Sequence, residues 1–531
     1  MPFGTVLKAM QDLLSLSRNS RFIGPTRCDI KALTCVTSRL NGGATPHVDQ
    51  KTWEDLEMGA VTQRVFGRCS PVGQHVAHAL LRCGAAAAVG GQPADVFQET
   101  ADPVHRNDDE KLLLAELRRS EVDIGGLLFC DEVYWWPSWS RHLLLLPLCV
   151  VSSALATYLI SWLAVIPLAA AVFAMFAVQI RLYLPMKIWH LQRNALLQML
   201  DFGSRSIRLQ NRGGFFSKAP TQADFERLRA GFRRGAGNMH WLIEFLDLFV
   251  LHQYRQFRRQ TFFLLDNVEE LRRCFIAVGV AESCSDLAAH VDVCKRWCPA
   301  IKSTGTYLEL CGLGTPLVEL AIPVEQVKMQ TRGLFVTGKN AAGKSTLLRS
   351  IGISCIFAAG YGGCFSRTAQ VPMGLVATSI NAADSIFDGN SLYVAELKRG
   401  KELVDICRTN PGSIIIVDEL YRGTNYLESV AAAGATLRAL ARTAGVIATS
   451  HNVALARLLD DLLEPVCVHR ADCSISLQSG VLAETNGLEL FDLVVGDDAL
   501  STHARALHAV LVDGAVSGRP RRENDGIPGW L

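Results

Sequence analysis

Residues Gly338-Lys339-Asn340-Ala341-Ala342-Gly343-Lys344-Ser345-Thr346 lie directly after the apolar run Leu334-Phe335-Val336 and directly before the helix-like run Leu347-Leu348-Arg349-Ser350-Ile351. A polyphosphate must be wrapped by backbone N–H groups, and only small residues with permissive dihedrals let the chain come that close. Gly338, Ala341, Ala342 and Gly343 meet that need around Asn340, and Thr346 closes the loop. Lys344 reaches the outer phosphates as a point charge, and Ser345 offers its hydroxyl to Mg²⁺. The helix that follows adds the positive end of its dipole. The ligands expected of such a loop are ATP and Mg²⁺.

Two later runs end in groups that complete this chemistry. Ser413-Ile414-Ile415-Ile416-Val417-Asp418-Glu419 reads as a buried parallel strand that delivers two acids at its C-terminal end. Asp418 is expected to hold the metal through water, and Glu419 to orient or deprotonate the attacking water. Gly445-Val446-Ile447-Ala448-Thr449-Ser450-His451 repeats the pattern, with His451 at a strand end where it can sense a γ-phosphate. A Gly-rich turn alone arises by chance, but three such strand ends in this order set that reading aside. They point to a Mg²⁺-dependent ATP hydrolase.

Four segments resemble the MutS mismatch-repair family. The phosphate loop with its internal Asn is similar to that family's, as are Asp418-Glu419-Leu420-Tyr421-Arg422-Gly423-Thr424-Asn425 and the pair Ser450-His451 after Thr449. Asp388-Gly389-Asn390-Ser391-Leu392-Tyr393-Val394-Ala395-Glu396 resembles the Gly-x-Ser-x-aromatic-x-x-Glu segment between them. The resemblance implies that the ATPase domain forms a homodimer in which Ser391 faces the nucleotide held by the other subunit. It also implies DNA binding, on the family likeness alone. Upstream, Thr52 to Leu56 and Arg68 to Gly73 look like the start of the family's helical core, and Thr315 stands where the family usually has His. No strand-rich region precedes the core to house a Phe-x-Glu mismatch wedge, and Phe97-Gln98-Glu99 lies beside a low-complexity linker. The layout is most similar to the shorter MutS-related proteins with a membrane hairpin.

From His142 to Ile180, between Arg141 and Arg181, the chain carries no Asp, Glu, Lys or Arg. As one helix this stretch would run roughly 58 Å, about twice the ~30 Å of a bilayer's hydrocarbon. Two passes turning near Ser161-Trp162 fit better, with Trp135, Trp136, Trp139, Tyr183, Lys187 and Trp189 as interfacial anchors. The lipid bilayer is therefore an expected partner, with the ATPase domain on the same side as the N-terminus. A buried hairpin in a soluble core is the alternative. Six basic residues against two acids in the first 48 suit a mitochondrial transit segment, and equally a flexible basic arm.

The formal charge of +2 implies no global polyanion-binding field, although Arg205 to Gln260 holds eleven basic residues against four acids. Nucleic acid, anionic lipid headgroups or plain solvent can each face that excess. Sixteen scattered cysteines form no disulfide framework and suit reduced thiols. The expected fold is an α/β P-loop NTPase domain, a parallel sheet flanked by helices, preceded by an all-α lever region holding a transmembrane helical hairpin. The expected divisions are an arm at 1–49, helical core at 50–140, hairpin at 141–182, helical lever at 183–300, ATPase domain at 301–495, and a C-terminal helix and tail at 496–531. Three functions remain: a membrane-anchored ATPase, a mismatch-repair factor proper, or a nucleotide-binding scaffold without turnover. The absence of a Leu-Ser-Gly-Gly segment counts against an ABC-type transporter.

Overall fold

The computed structural model describes residues 30–42, 46–86, 108–130, 145–159, 162–206, 220–233, 251–318, 322–339, 342–380, 392–471, 474–482, 487–496 and 498–517. The N-terminal arm to residue 29, the linker at 87–91, Phe97-Gln98-Glu99, the tryptophans at 135, 136 and 139, Asn340, Ala341, Ser391 and the tail at 518–531 lie outside the described residues. The chain divides into two compact units. One comprises 1–301, 315–319 and 353–369, and the other 302–314, 320–352 and 370–531.

The first unit is helical. Its elements are α1 (Ile30–Leu40), α2 (Gln50–Asp55), α3 (Met58–Phe66), α4 (Pro71–Cys83), α5 (Asp108–Arg119), α6 (Gly125–Phe129), α7 (Leu146–Leu159), α8 (Val165–Ser206), α9 (Gln222–Arg233), α10 (His252–Asp266) and α11 (Val268–Cys294). Ser70 caps α4 and Pro71 sits in its first turn, where a missing N–H costs nothing. α4 packs along α11, and Val76, Leu80, Phe275 and Leu287 bury between them and their neighbours. α11 is long and apolar, but two-thirds of its apolar window is buried, as in a core helix.

α7 and α8 pack on each other across the break between Leu159 and Val165, so the uncharged stretch is a helical hairpin. Its described surface is apolar and open: Tyr158 is 87 % exposed, Phe173 69 % and Ile180 74 %. The second arm does not stop at residue 182. α8 is 42 residues long in all, with Pro185 inside it, and its axis turns by 44° between Val165–Ile180 and Pro185–Arg205. The ring at Pro185 removes one N–H and crowds the preceding turn, so the helix bends there and goes on. Before the bend Met175 and Val178 are buried among exposed neighbours, and beyond it Trp189, Leu196, Met199, Leu200 and Phe202 are almost wholly enclosed.

Strands follow in chain order: β1 (Cys298–Lys302), β2 (Leu308–Leu313), β3 (Val324–Met329), β4 (Gly333–Thr337), β5 (Gly363–Cys364), β6 (Thr368–Val371), β7 (Val376–Ser379), β8 (Ile414–Asp418), β9 (Gly445–Thr449), β10 (Leu463–Arg470) and β11 (Ile475–Ser479). Interleaved are α12 (Lys344–Tyr361), α13 (Leu392–Thr409), α14 (Tyr426–Ala441) and α15 (Val453–Leu458), and α16 (Gly487–Val495) and α17 (Asp498–Ser517) close the described chain. β1 and β5 form a short antiparallel ribbon, Cys298 opposite Cys364.

In the second unit the strands run in the order β2-β3-β11-β10-β4-β9-β8-β7. The segment β10-β4-β9-β8-β7 is parallel, and β10–β11 and β2–β3 are antiparallel pairs. Every residue of β4, β7 and β9 is buried, as for strands covered on both faces, and their Val, Ile and Ala runs show no alternation. β3 has three exposed residues among its six instead. The sheet is thus mixed, with a parallel centre. α12 is shared, since residues 344–352 belong to the second unit and 353–361 to the first, where Phe357 and Tyr361 stack on Phe66.

Candidate functional site

Strand order aligns the three chemical strand ends. β9 lies between β4 and β8, with Thr449 paired to Val336 on one side and to Asp418 on the other. In a parallel sheet this puts the residues following Val336, Asp418 and Thr449 along one edge, outside the carboxyl ends of the strands where ligands bind.

The phosphate loop leaves the first of these ends. Gly343 has φ +92°, a conformation any L side chain adopts only with strain, and it ends directly at the first turn of α12. The Ala342 N–H donates to Lys339 O at 3.3 Å. Lys344 is buried and its Nζ donates to Gly338 O at 2.8 Å and Lys339 O at 3.0 Å, so the ammonium is folded over its own loop. Burial lowers its pKa below the usual lysine value, while Glu419 and Asp418 pull the other way. Thr346 is exposed at the start of the helix, and its carbonyl accepts from Ser350 Oγ at 2.7 Å.

Ser345 Oγ donates to Asp418 Oδ2 at 2.7 Å, and the Thr449 hydroxyl donates to Asp418 Oδ1. One carboxylate therefore ties the loop to the end of β8 and to β9. Glu419 has φ +51°, and its N–H donates to Thr449 O at 3.1 Å, which turns the chain sharply after the strand. Its carboxylate is held from both sides, with His451 Nε2 2.7 Å from Oε1 and an Arg422 guanidinium nitrogen 3.4 Å from Oε2. His451, expected at the γ-phosphate, is here the partner of Glu419, the candidate general base.

The segment after Glu419 is locked in turn. Gly423 N–H donates to Glu396 Oε2 at 3.4 Å, and a Cβ on Gly423 would lie 2.9 Å from the backbone N of Tyr393. Tyr421 meets Tyr393 edge to face at 6.2 Å and shares a hydrogen bond with Thr436 at 3.0 Å. Burial raises the Glu396 pKa, opposed by the backbone N–H groups of Gly423 and Arg422. These contacts fasten the turn that carries Glu419 to the beginning of α13.

Gly338, Ala342, Gly343, Lys344, Ser345 and Thr346 thus adjoin Asp418, Glu419 and His451 in one region, while Asn340, Ala341 and Ser391 fall outside the described residues. Sequence reasoning gave no role to Thr449, Arg422 or Glu396. Thr449 is a hydroxyl residue at the last position of an otherwise apolar strand, and that was a usable signal. The Arg422 and Glu396 pairings join separate elements and left no local trace. Two hard oxygens, from Ser345 and Asp418, share one point, which suits a Mg²⁺ ion.

Comparison with known proteins agrees with this geometry. Residues 334–482 match the family described as MutS domain V. The DNA mismatch repair protein MSH3 of Phaeosphaeria nodorum is 31 % identical over 214 residues, which is 37 % of this chain and 19 % of that protein. The MutS proteins of Caldicellulosiruptor saccharolyticus and Granulibacter bethesdensis are 28 % and 26 % identical, over 33 % and 44 % of this chain and 21 % and 27 % of their own lengths. The chain spans less than a third of the curated relatives it matches. The phosphate loop, the acidic strand end and the Thr-Ser-His strand end all lie inside the matched residues, so the similarity to MutS domain V covers the whole candidate site.

Proposed function

We propose that this chain is a membrane-anchored MutS-like ATPase, which binds ATP with Mg²⁺ between two protomers and hydrolyses it. The observation that carries the reading is Asp418, whose two oxygens take the hydroxyls of Ser345 and Thr449 and so join all three strand ends at one point. Ser345 and Asp418 would hold Mg²⁺, which when bound offsets charge on the phosphate oxygens. Lys344 leaves the loop carbonyls for the outer phosphates. Glu419 takes a proton from the attacking water, and His451 and Arg422 fix which of its oxygens faces that water. Ser391 of the opposite protomer completes the γ-phosphate contacts. The exposed apolar hairpin α7–α8 supports the anchor, since water is a poor solvent for Phe173, Ile166 and Ile180 side by side. α7 is about 21 Å long at 1.5 Å per residue, against the ~30 Å of a bilayer's hydrocarbon.

The relatives, DNA mismatch repair proteins, favour a second reading, action in DNA mismatch repair. One experiment separates the readings: turnover of the detergent-solubilised full chain, wild type beside Lys344→Ala and Glu419→Gln, with mismatched duplex, matched duplex or none. Turnover that needs Lys344 and Glu419 and ignores DNA supports the membrane ATPase. Stimulation by mismatched duplex supports the repair reading, and nucleotide binding without turnover in wild type refutes both in favour of a scaffold.

A further inference from the structure

The helix bundle beyond the hairpin carries a basic recess that the ATPase does not use. Arg255, Arg258 and Arg259 line it with Phe262, Phe263 and Asp266 around a volume of about 420 Å³. Arg255 and Arg259 are exposed, and the Arg258 guanidinium lies 5.0 Å from the Phe262 ring centroid with its Nε buried and lacking a hydrogen-bond partner. Among the described residues none of the three forms an ion pair, whereas Arg227, Arg229 and Arg233 on α9 are all engaged by Glu270 or Asp201. The single acid lining the recess, Asp266, is the last residue of α10.

The position of the recess along the bundle is fixed by contacts to α8. Trp189 Nε1 donates to Gln260 Oε1 at 3.0 Å, and the Trp189 ring lies 5.9 Å from Phe257. Gln260 then donates to Phe232 O at 3.0 Å, Phe263 lies over Gly231, and Glu270 meets Arg227. Successive residues of α10 and α11 thus meet earlier and earlier residues of α9. On α9 itself, Phe232 lies against Trp189 and Phe225 against Gly203. α9 is therefore antiparallel to α8, and α10 runs in the same direction as α8. The N-terminal half of α10, which holds Arg255, points back toward Ile180, the last residue of the uncharged stretch. Trp189 follows Ile180 by nine residues, about 13 Å along a helix. The headgroup layer adds roughly 5–8 Å beyond the hydrocarbon, and an arginine side chain reaches several ångströms more. Lys187 is exposed on the same stretch of α8.

We infer that the Arg255–Arg258–Arg259 recess binds the phosphodiester of an anionic phospholipid in the leaflet from which the hairpin emerges. Guanidinium forks suit phosphate oxygens, and the Phe262 ring, 5.0 Å from the Arg258 guanidinium, holds that fork at the recess. The charge is concentrated at headgroup depth on a chain of near-neutral net charge, which favours a lipid over a long polyanion. The inference rests on the membrane reading of α7–α8.

The test uses the full chain in dodecyl maltoside, titrated with short-chain phosphatidylglycerol, phosphatidylcholine, glycerol phosphate or a 20-mer duplex, with the thermal midpoint read from tryptophan fluorescence. Phosphatidylglycerol is expected to raise the midpoint of the wild type while phosphatidylcholine and glycerol phosphate do not. In Arg255→Gln/Arg258→Gln/Arg259→Gln the half-effective lipid concentration is expected to rise on the order of a hundredfold, at about fivefold per lost charge. The corresponding triple Lys variant keeps most of the response, which separates lost charge from lost fold. An equal response to phosphatidylcholine, a glycerol phosphate response as strong as the lipid's, an unchanged Gln variant, or a duplex response that alone vanishes in it would each overturn the site. Carbonate extraction of membranes from expressing cells tests the underlying anchor independently. Wild type and Gln variant both staying in the pellet leaves the anchor standing whatever the lipid titration shows, and release of both overturns anchor and site together.

Discussion

Replacing Thr449 by Val tests whether Asp418 is the metal carboxylate. The Thr449 side chain is buried at the end of β9 and gives its hydroxyl to Asp418 Oδ1, while Ser345 gives its own to Oδ2. When Ser345 turns to a metal, Thr449 is the remaining side chain that fixes the carboxylate plane. Valine keeps the β-branched shape that suits a strand, and the backbone bond from Glu419 N–H to the carbonyl of residue 449 survives, so the change removes little besides one hydrogen bond. A hydrogen bond to a charged group is worth about 1.5–3 kcal/mol. Loss of a partner that orients a metal ligand weakens metal affinity or activity about 10- to 100-fold, the same range of free energy. The assay is turnover against free Mg²⁺ at saturating ATP, with fluorescent-nucleotide binding against Mg²⁺ as the companion reading. The half-saturating Mg²⁺ concentration is expected to rise by that factor, with turnover at high Mg²⁺ largely retained and the thermal midpoint little changed. A Mg²⁺ curve superimposable on the wild type would refute the assignment of Asp418. A large fall in thermal midpoint would show instead that the hydroxyl holds the fold.

Other outcomes follow from contacts described above. Gly423→Ala forces a Cβ to 2.9 Å from Tyr393 N, at a local cost of about 1–3 kcal/mol; turnover should fall while nucleotide binding, measured separately, persists. Glu282 on α11 is wholly buried, accepts from Ser70 N–H at 2.7 Å and Ser70 Oγ at 2.6 Å, and has Arg118, Asp286 and Cys69 beside it. Burial lifts its pKa from 4.5 to about 7, so the folded chain holds a proton that the unfolded chain releases between those values. That contribution, on the order of 3 kcal/mol, is complete below about pH 4.5 and is lost as pH rises through about 7. Glu282→Gln should therefore flatten the fall in thermal midpoint from pH 5 to pH 8. Trp189→Phe leaves Gln260 Oε1 without its donor inside the bundle and should cost about 1–3 kcal/mol in denaturant unfolding.

The residues of the candidate site were legible because each part is contiguous: a loop between strand and helix, two acids after four β-branched residues, and a histidine after another apolar run. The parts that were not legible are contacts made across the sheet. Thr449 meets Asp418 only because β9 inserts between β4 and β8, and Gly423 meets Glu396 from 27 positions further along the chain. Hydropathy located the hairpin and its break near residues 159–165. It could not show that α8 runs through Arg181 and Pro185 to Ser206, because charge marks a change of solvent and not the end of a backbone hydrogen-bond ladder.

α12 begins at Lys344 in one unit and finishes at Tyr361 in the other. Its second half is apolar and enclosed, with Ile353, Ile356, Phe357, Ala358 and Tyr361 each at most 1 % exposed. A fragment starting at residue 302 would therefore carry an intact nucleotide loop on a helix whose far end had lost its lining. Each large side chain laid bare costs roughly 1.5–3 kcal/mol, enough in sum to rival the whole stability of an ordinary domain. The nucleotide loop is thus defined by sequence but not separable by scissors: the smallest piece that keeps the far half of α12 lined includes the helices around Phe66 and Leu80 as well.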